Sequence, residues 1–197
     1  LSDSASPRIA RADHRRAQIV DGALAVIAEV GPDGLTHRRV AAAANVPLAA
    51  TTYWFDSKEA IVQAAFLHSV QESIEAISAT RARARAWTRD SAPDELAAIV
   101  ESECDGDRRR TVVGYALWVE AQRRPVLRPY AQRWTDAYVD LYRDVLRTIG
   151  ATADLEARAR LLAAAVDGLV SQQLASPDPL DRATLAAVLR PLLDGGR

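Results

Sequence analysis

The chain has no methionine, one cysteine, one lysine, two phenylalanines and three histidines among its 197 residues. The single thiol, Cys104, excludes an internal disulfide and fits a reducing compartment. His14, His37 and His68 are scattered without metal-ligand spacing, so neither a metal nor a cofactor is expected. No run approaches the roughly 18 uninterrupted apolar residues that a membrane-spanning helix needs. The first residues, LSDSASPRIAR, lack the apolar stretch of a signal peptide, and a cytoplasmic location is expected. The missing methionine predicts a processed or trimmed start. Neither sign of charge is in excess: 25 Lys and Arg against 26 Asp and Glu leave a formal net charge of −1. Bulk charge therefore does not announce a nucleic-acid partner. No nucleophile elbow, P-loop or GxGxxG is present, which argues against an enzyme.

What the chain does have is helical periodicity. Apolar residues recur at three- and four-residue steps, and no run alternates with period two for long, which predicts an all-α fold of about nine helices. The first is expected over Asp13 to Val30, with Ile19, Val20, Ala23, Leu24, Ile27 and Val30 on one stripe and Gly31 as its cap. Thr36 can cap a short second helix, His37 to Ala44. Asn45 stands where a positive φ is wanted, Val46 can plug the gap between helices, and Pro47 fixes φ at the start of a third, Leu48 to Trp54. Asp56 and Glu59 read as the capping box of a long fourth helix reaching about Arg85. Further helices are expected over Ser91 to Cys104, Arg108 to Gln122, Val126 to Thr148, Thr152 to Leu174 and Asp181 to Leu193, before a terminal Gly195-Gly196. The expected domains are 10–56 and 57–197, joined through the fourth helix.

The second and third helices with their tight turn make a helix-turn-helix, an arrangement that places the second of the pair in the major groove of DNA. The plain alternative is an αα-corner in a helical core. Three features favour DNA. Leu48, Ala49, Ala50, Thr51 and Thr52 form no core stripe; they are small or polar, and threonine can bond a base edge or touch a thymine methyl. Thr36, His37, Arg38 and Arg39 stand at a helix N-terminus, where free N–H groups and guanidinium groups favour phosphate. Lys58 occupies the first turn of the fourth helix, an unfavourable place for a cation unless an anion lies nearby. Between Arg8 and Lys58 the seven cations Arg8, Arg11, Arg15, Arg16, Arg38, Arg39 and Lys58 face five acids, Asp13, Asp21, Glu29, Asp33 and Asp56. Non-specific affinity for DNA should be weak and salt-sensitive.

The segment Arg15 to Phe66, RRAQIVDGALAVIAEVGPDGLTHRRVAAAANVPLAATTYWFDSKEAIVQAAF, resembles the DNA-binding domain of TetR-like repressors. The likeness lies in the first helix ending at Gly31, in Thr36 with Val40-Ala41, in the Val46-Pro47 turn, and in Tyr53-x-Phe55 followed by Ser57-Lys58-Glu59. The resemblance implies that the third helix reads bases and that the fourth supplies a phosphate-binding lysine. The candidate DNA contacts are then Thr36, Arg38, Arg39, Pro47, Leu48, Ala49, Thr51, Thr52, Tyr53, Trp54 and Lys58. The family often has Gly where Asn45 and Ala49 stand, and His where Trp54 stands. Tyr53 is expected to face phosphate and Phe55 to anchor the unit in its small core.

The resemblance also implies that the larger helical bundle binds a small apolar or aromatic effector and pairs with a second copy. Aromatic clustering makes Tyr115, Trp118, Gln122, Trp134 and Tyr138 the candidate effector contacts, with plain core as the alternative for most. The last two helices are leucine-rich on broad faces. Leu162, Val166, Leu169, Val170, Gln173, Leu185, Val188, Leu189 and Leu192 are the candidate dimer interface, or an intrachain core. The function expected is a homodimeric regulator, a repressor released from a palindromic operator by its effector. The alternatives are a regulator of the same fold that senses a protein partner, and a helical enzyme or scaffold without a DNA role.

Overall fold

The structure, a computed structural model, describes residues 7–106 and 108–194, with side chains from Asp13 onward. The side chains of Arg8 and Arg11 and the Gly195-Gly196 pair lie outside the described residues. All regular structure among the described residues is helical: α1 (Pro7–Val30), α2 (His37–Ala43), α3 (Leu48–Trp54), α4 (Lys58–Ala84), α5 (Ala92–Glu101), α6 (Arg108–Arg123), α7 (Arg128–Thr148), α8 (Leu155–Ala175) and α9 (Arg182–Asp194). A π-helical turn, Ser102–Gly106, follows α5, and a 3-10 turn, Pro125–Leu127, precedes α7. The chain forms two compact units. One holds the chain up to Val70 together with Val112–Tyr130, and the other holds Gln71–Thr111 and the chain from Ala131.

In the first unit α1 packs on α2, and α2 on α3. The stripe Ile19, Val20, Ala23 and Ile27 is buried with Leu35, Val40, Val46, Phe55 and Ile61. Two details fix the helix-turn-helix. Gly22 lies so close to the end of α2 that a β-carbon there would sit 2.7 Å from the Ala44 β-carbon. Asn45 adopts φ 52°, and the Asn45 and Val46 amides return to the carbonyls of Ala42 and Ala41. That is the left-handed, doubly bonded helix stop for which Asn is second only to Gly. The expected capping box at α4 is not formed around Asp56. Ser57 caps instead, its hydroxyl accepting from the Ala60 amide at 3.1 Å. One residue of register separates the two choices, and the serine oxygen is the one that reaches the free N–H groups.

In the second unit α5 packs most extensively on α9 and also contacts α8. Trp134, Tyr138 and Tyr142 follow one another along α7, with ring centroids 6.5 and 6.3 Å apart. Tyr130, the first aromatic of that stripe, belongs to the other unit and meets Phe66 edge-on at 6.3 Å. The long helix expected from Ser91 to Cys104 breaks its α register at Ser102 and closes as the π turn, which carries Glu103 and the buried Cys104.

The leucine-rich faces of α8 and α9 correct the expected dimer residues. Leu162, Val166, Val170, Leu185 and Leu189 are buried within the protomer. Gln173 is buried as well: its amide donates to the Leu180 carbonyl at 2.8 Å, and its oxygen accepts from the Leu180 amide at 2.9 Å. These six residues hold the protomer together. Leu169 and Leu192 are half-buried and Val188 is exposed. The outward faces carry Leu161, Ala164, Gly168, Ala187 and Val188, with Leu161 57% and Val188 48% exposed. A β-carbon at Gly168 would meet open space.

Candidate nucleic-acid interface

The seven residues of α3 have two opposite faces. Thr51 is wholly buried; its hydroxyl donates to the Leu48 carbonyl at 2.8 Å and lies 3.1 Å from His37 Nδ1. Because the hydroxyl proton is used on Leu48, His37 carries its proton on Nδ1 and donates it to Thr51. Thr51 therefore joins α3 to the first turn of α2 and does not read bases, which corrects its place among the DNA contacts. The opposite face presents Pro47, Leu48, Ala49, Thr52 and Tyr53, all exposed. Tyr53 is 79% exposed, a large fraction for an aromatic ring, and its hydroxyl end is free to meet a partner. Trp54 is half-buried and meets Tyr53 edge to face at 5.4 Å. It braces the tyrosine. Phe55 anchors the end of α3 in the core, with the Arg16 guanidinium 5.5 Å from its ring centroid.

Two of the candidate cations, Arg39 and Lys58, have side chains tethered to backbone carbonyls. Thr36 caps α2, its hydroxyl accepting from the Arg39 amide at 3.2 Å. Arg39 donates to the Gly34 carbonyl at 2.6 Å, and Arg38 is exposed in the same turn. Lys58 donates to the Asp33 carbonyl at 2.7 Å. This contact ties the start of α4 to the loop after α1 and gives a lysine at a helix N-terminus a partner inside the protein. Gly22 is the residue of the site that spacing alone missed; His37 and Ser57 were visible in the sequence, but not the Thr51 contact of the one or the helix cap of the other. A glycine inside a strongly periodic helix was the available sign for Gly22, since it marks close backbone approach.

A small face on a rigidly braced short helix, with tethered cations in the same unit, is the shape of a major-groove reader. Two family models match. Residues 19–65 match the bacterial regulatory proteins of the tetR family, and residues 87–195 match the tetracyclin repressor-like C-terminal domain, more than half of the chain. The chain belongs to the TetR family. It is a DNA-binding transcriptional regulator. Among TetR-type relatives it is 29% identical to the HTH-type transcriptional regulator BetI 2 of Chromohalobacter salexigens, over 95% of this chain and 91% of that protein. Among solved structures it is 32% identical to the TetR-family protein SCO1917 of Streptomyces coelicolor A3, with a TM-score of 0.74, covering 90% of this chain and 97% of the other. It is equally 32% identical to the multidrug binding protein EbrR in its complex with ethidium, with a TM-score of 0.71 and the same coverage.

The five candidate effector residues of this TetR-family chain do not fall in one compact unit. Tyr115, Trp118 and Gln122 lie on α6 in the first, where Trp118 is 41% exposed and Gln122 is also exposed. Trp134 and Tyr138 lie in the second, both half-buried. A surface depression of about 270 Å³ in that second unit is lined by Arg81, Ala84, Arg85, Asp144, Arg147 and Thr148. Neither Trp134 nor Tyr138 lines it, and its polar lining does not suit an apolar effector. Among the described residues no His, Cys, Asp and Glu cluster could hold a metal ion, and no helix is long and apolar enough to cross a membrane.

Proposed function

We propose that the protein is a homodimeric repressor that binds a palindromic operator through α3 and leaves it when a small molecule binds residues 57–197. The exposed, small-residue face of α3 over the His37–Thr51 brace is the observation that carries this reading. Thr52 and Tyr53 would bond base edges or phosphate, and Leu48 and Ala49 would lie against thymine methyl groups. Thr36, Arg38, Arg39 and Lys58 would hold phosphates and set the register. This DNA-reading role belongs to residues 10–56. No catalytic role is assigned.

The same reading calls for a dimer. One seven-residue helix gives a small footprint, and two copies about 34–36 Å apart enter successive major grooves. The outward faces of α8 and α9 supply a surface for the pairing: Leu161 and Val188 are large and exposed, while Ala164, Gly168 and Ala187 allow close helix approach. EbrR, similar over nine-tenths of this chain, has been solved with ethidium, proflavin and malachite green. That likeness supports an aromatic effector here. Selection from a random duplex library should enrich a two-fold symmetric sequence with half-sites about one helical turn apart. Addition of a matching aromatic compound should release it. A library without enrichment, at low salt and with folded protein, would contradict the proposal.

A further inference from the structure

The π turn after α5 swings Glu103 towards the start of α6. There one carboxylate oxygen accepts from Arg110 at 3.1 Å and the other from the Thr111 hydroxyl at 2.6 Å. Both partners of the ion pair are mostly enclosed, with the Glu103 side chain 16% and the Arg110 side chain 20% exposed. Trp134 and Tyr138 stand one turn apart on α7 in the same unit, with ring centroids 6.5 Å apart. Burial, and after it the Glu103 charge, hold the Tyr138 phenol well above its ordinary value; Arg110 opposes this and Asp167 adds to it. The charges acting on that phenol are thus two carboxylates against one guanidinium. The Trp134 indole N–H lies near enough to the Tyr138 hydroxyl to favour its ionisation slightly, yet no acceptor completes a hydrogen bond to it. A buried donor without an acceptor is uncommon and marks a place where a partner is wanted. All six residues belong to the second compact unit.

We infer that this cluster is a binding site for an aromatic organic cation carrying a hydrogen-bond acceptor, whose charged group replaces Arg110 against Glu103. The inference deepens the proposed effector reading and rests on it for its regulatory meaning. Each requirement of the site selects the ligand. Glu103 needs a positive partner, because a mostly enclosed carboxylate stripped of its counter-charge is strongly disfavoured. Arg110 is the more open of the two side chains, so its guanidinium can turn to water when a ligand takes its place. Aromatic faces at Trp134 and Tyr138 attract cations and stack on flat rings. The Trp134 N–H takes the acceptor. An anion would meet two carboxylates, and an aliphatic neutral molecule would leave both the indole donor and the aromatic faces unused.

The test uses the full chain and two probes of one shape. (3-Hydroxyphenyl)trimethylammonium carries the charge, and 3-tert-butylphenol is its neutral counterpart. Isothermal titration should show the cation bound at least tenfold more tightly than the phenol. Glu103→Gln keeps an oxygen for the Thr111 hydroxyl, and it should abolish the preference while leaving phenol binding within twofold. Arg110→Gln removes the competing cation and should tighten binding of the charged probe. Equal binding of the two probes, binding of neither at millimolar concentration, a preference that survives Glu103→Gln, or weaker cation binding in Arg110→Gln would each overturn the site. Operator release separates this site from the proposed function. Cation binding that depends on Glu103 but leaves the operator occupied upholds the site and removes the effector reading. Release that persists in Glu103→Gln upholds the effector reading and overturns the site.

Discussion

Adjacent threonines on α3 do opposite work. Thr51 puts its hydroxyl into the joint between α2 and α3, and Thr52 turns outward beside Tyr53. Thr51→Val has the same shape but leaves the half-buried His37 without its acceptor. It should cost about 1–2 kcal/mol of folding stability, as a broken, partly enclosed hydrogen bond does. Thr51→Ser, which keeps the hydroxyl, should recover most of that. Thr52→Val should leave stability within about 0.5 kcal/mol, as surface changes do. Chemical denaturation of the three variants decides this. The sequence made the composition of α3 legible and its orientation illegible. Two threonines side by side have the same propensity, and only the position of His37 across the turn determines which one is drawn inside. Lys58 is a similar case. Its place at a helix start was visible, but the Asp33 carbonyl that receives it lies 25 residues away.

Helix boundaries were legible wherever a backbone rule acts within a few residues. Gly31 adopts the positive φ expected of a helix stop, and Asn45 does so at the turn. What escaped notice depends on a second element. Gly22 reads locally as a weak spot in α1, because an interior glycine costs about 1 kcal/mol relative to alanine. The end of α2 reverses that judgement, since an added methyl group would collide with Ala44. Gly22→Ala should therefore lower stability by a net amount of about 1–2 kcal/mol, the overpacking penalty exceeding the gain in helix propensity. Its operator affinity should fall too, because α2 and α3 move together. Equilibrium unfolding in urea gives the sign, and a stabilised variant would mean that the close approach is relaxed in solution. The π turn at Ser102 escaped for a different reason. Its sequence, SECDG, has nothing that forbids a continued α-helix, and its register shift makes sense only with Arg110 and Thr111 in view.

For the whole molecule, leucine periodicity in α8 and α9 established that both helices bury a face, but not against what. Six of the nine expected interface residues are occupied inside the protomer, and the apolar residues left outside include Leu161, Ala164, Ala187 and Val188, with Gly168, Leu169 and Leu192 half-buried. Paired substitutions Leu161→Glu and Val188→Glu should give a folded monomer in analytical ultracentrifugation, because carboxylates would be forced together across a two-fold interface. An unchanged dimer would move the interface elsewhere. On the proposed reading, operator recognition rests above all on the outward face of α3. Fluorescence anisotropy with the selected operator duplex tests that face directly, comparing wild type with a Thr52→Val/Tyr53→Ala variant at matched salt. The variant should melt like wild type and bind the operator at least tenfold more weakly, while both bind scrambled DNA equally and with the salt dependence of phosphate contacts. Equal operator affinity in the two proteins would contradict the assignment of α3 as the reading helix.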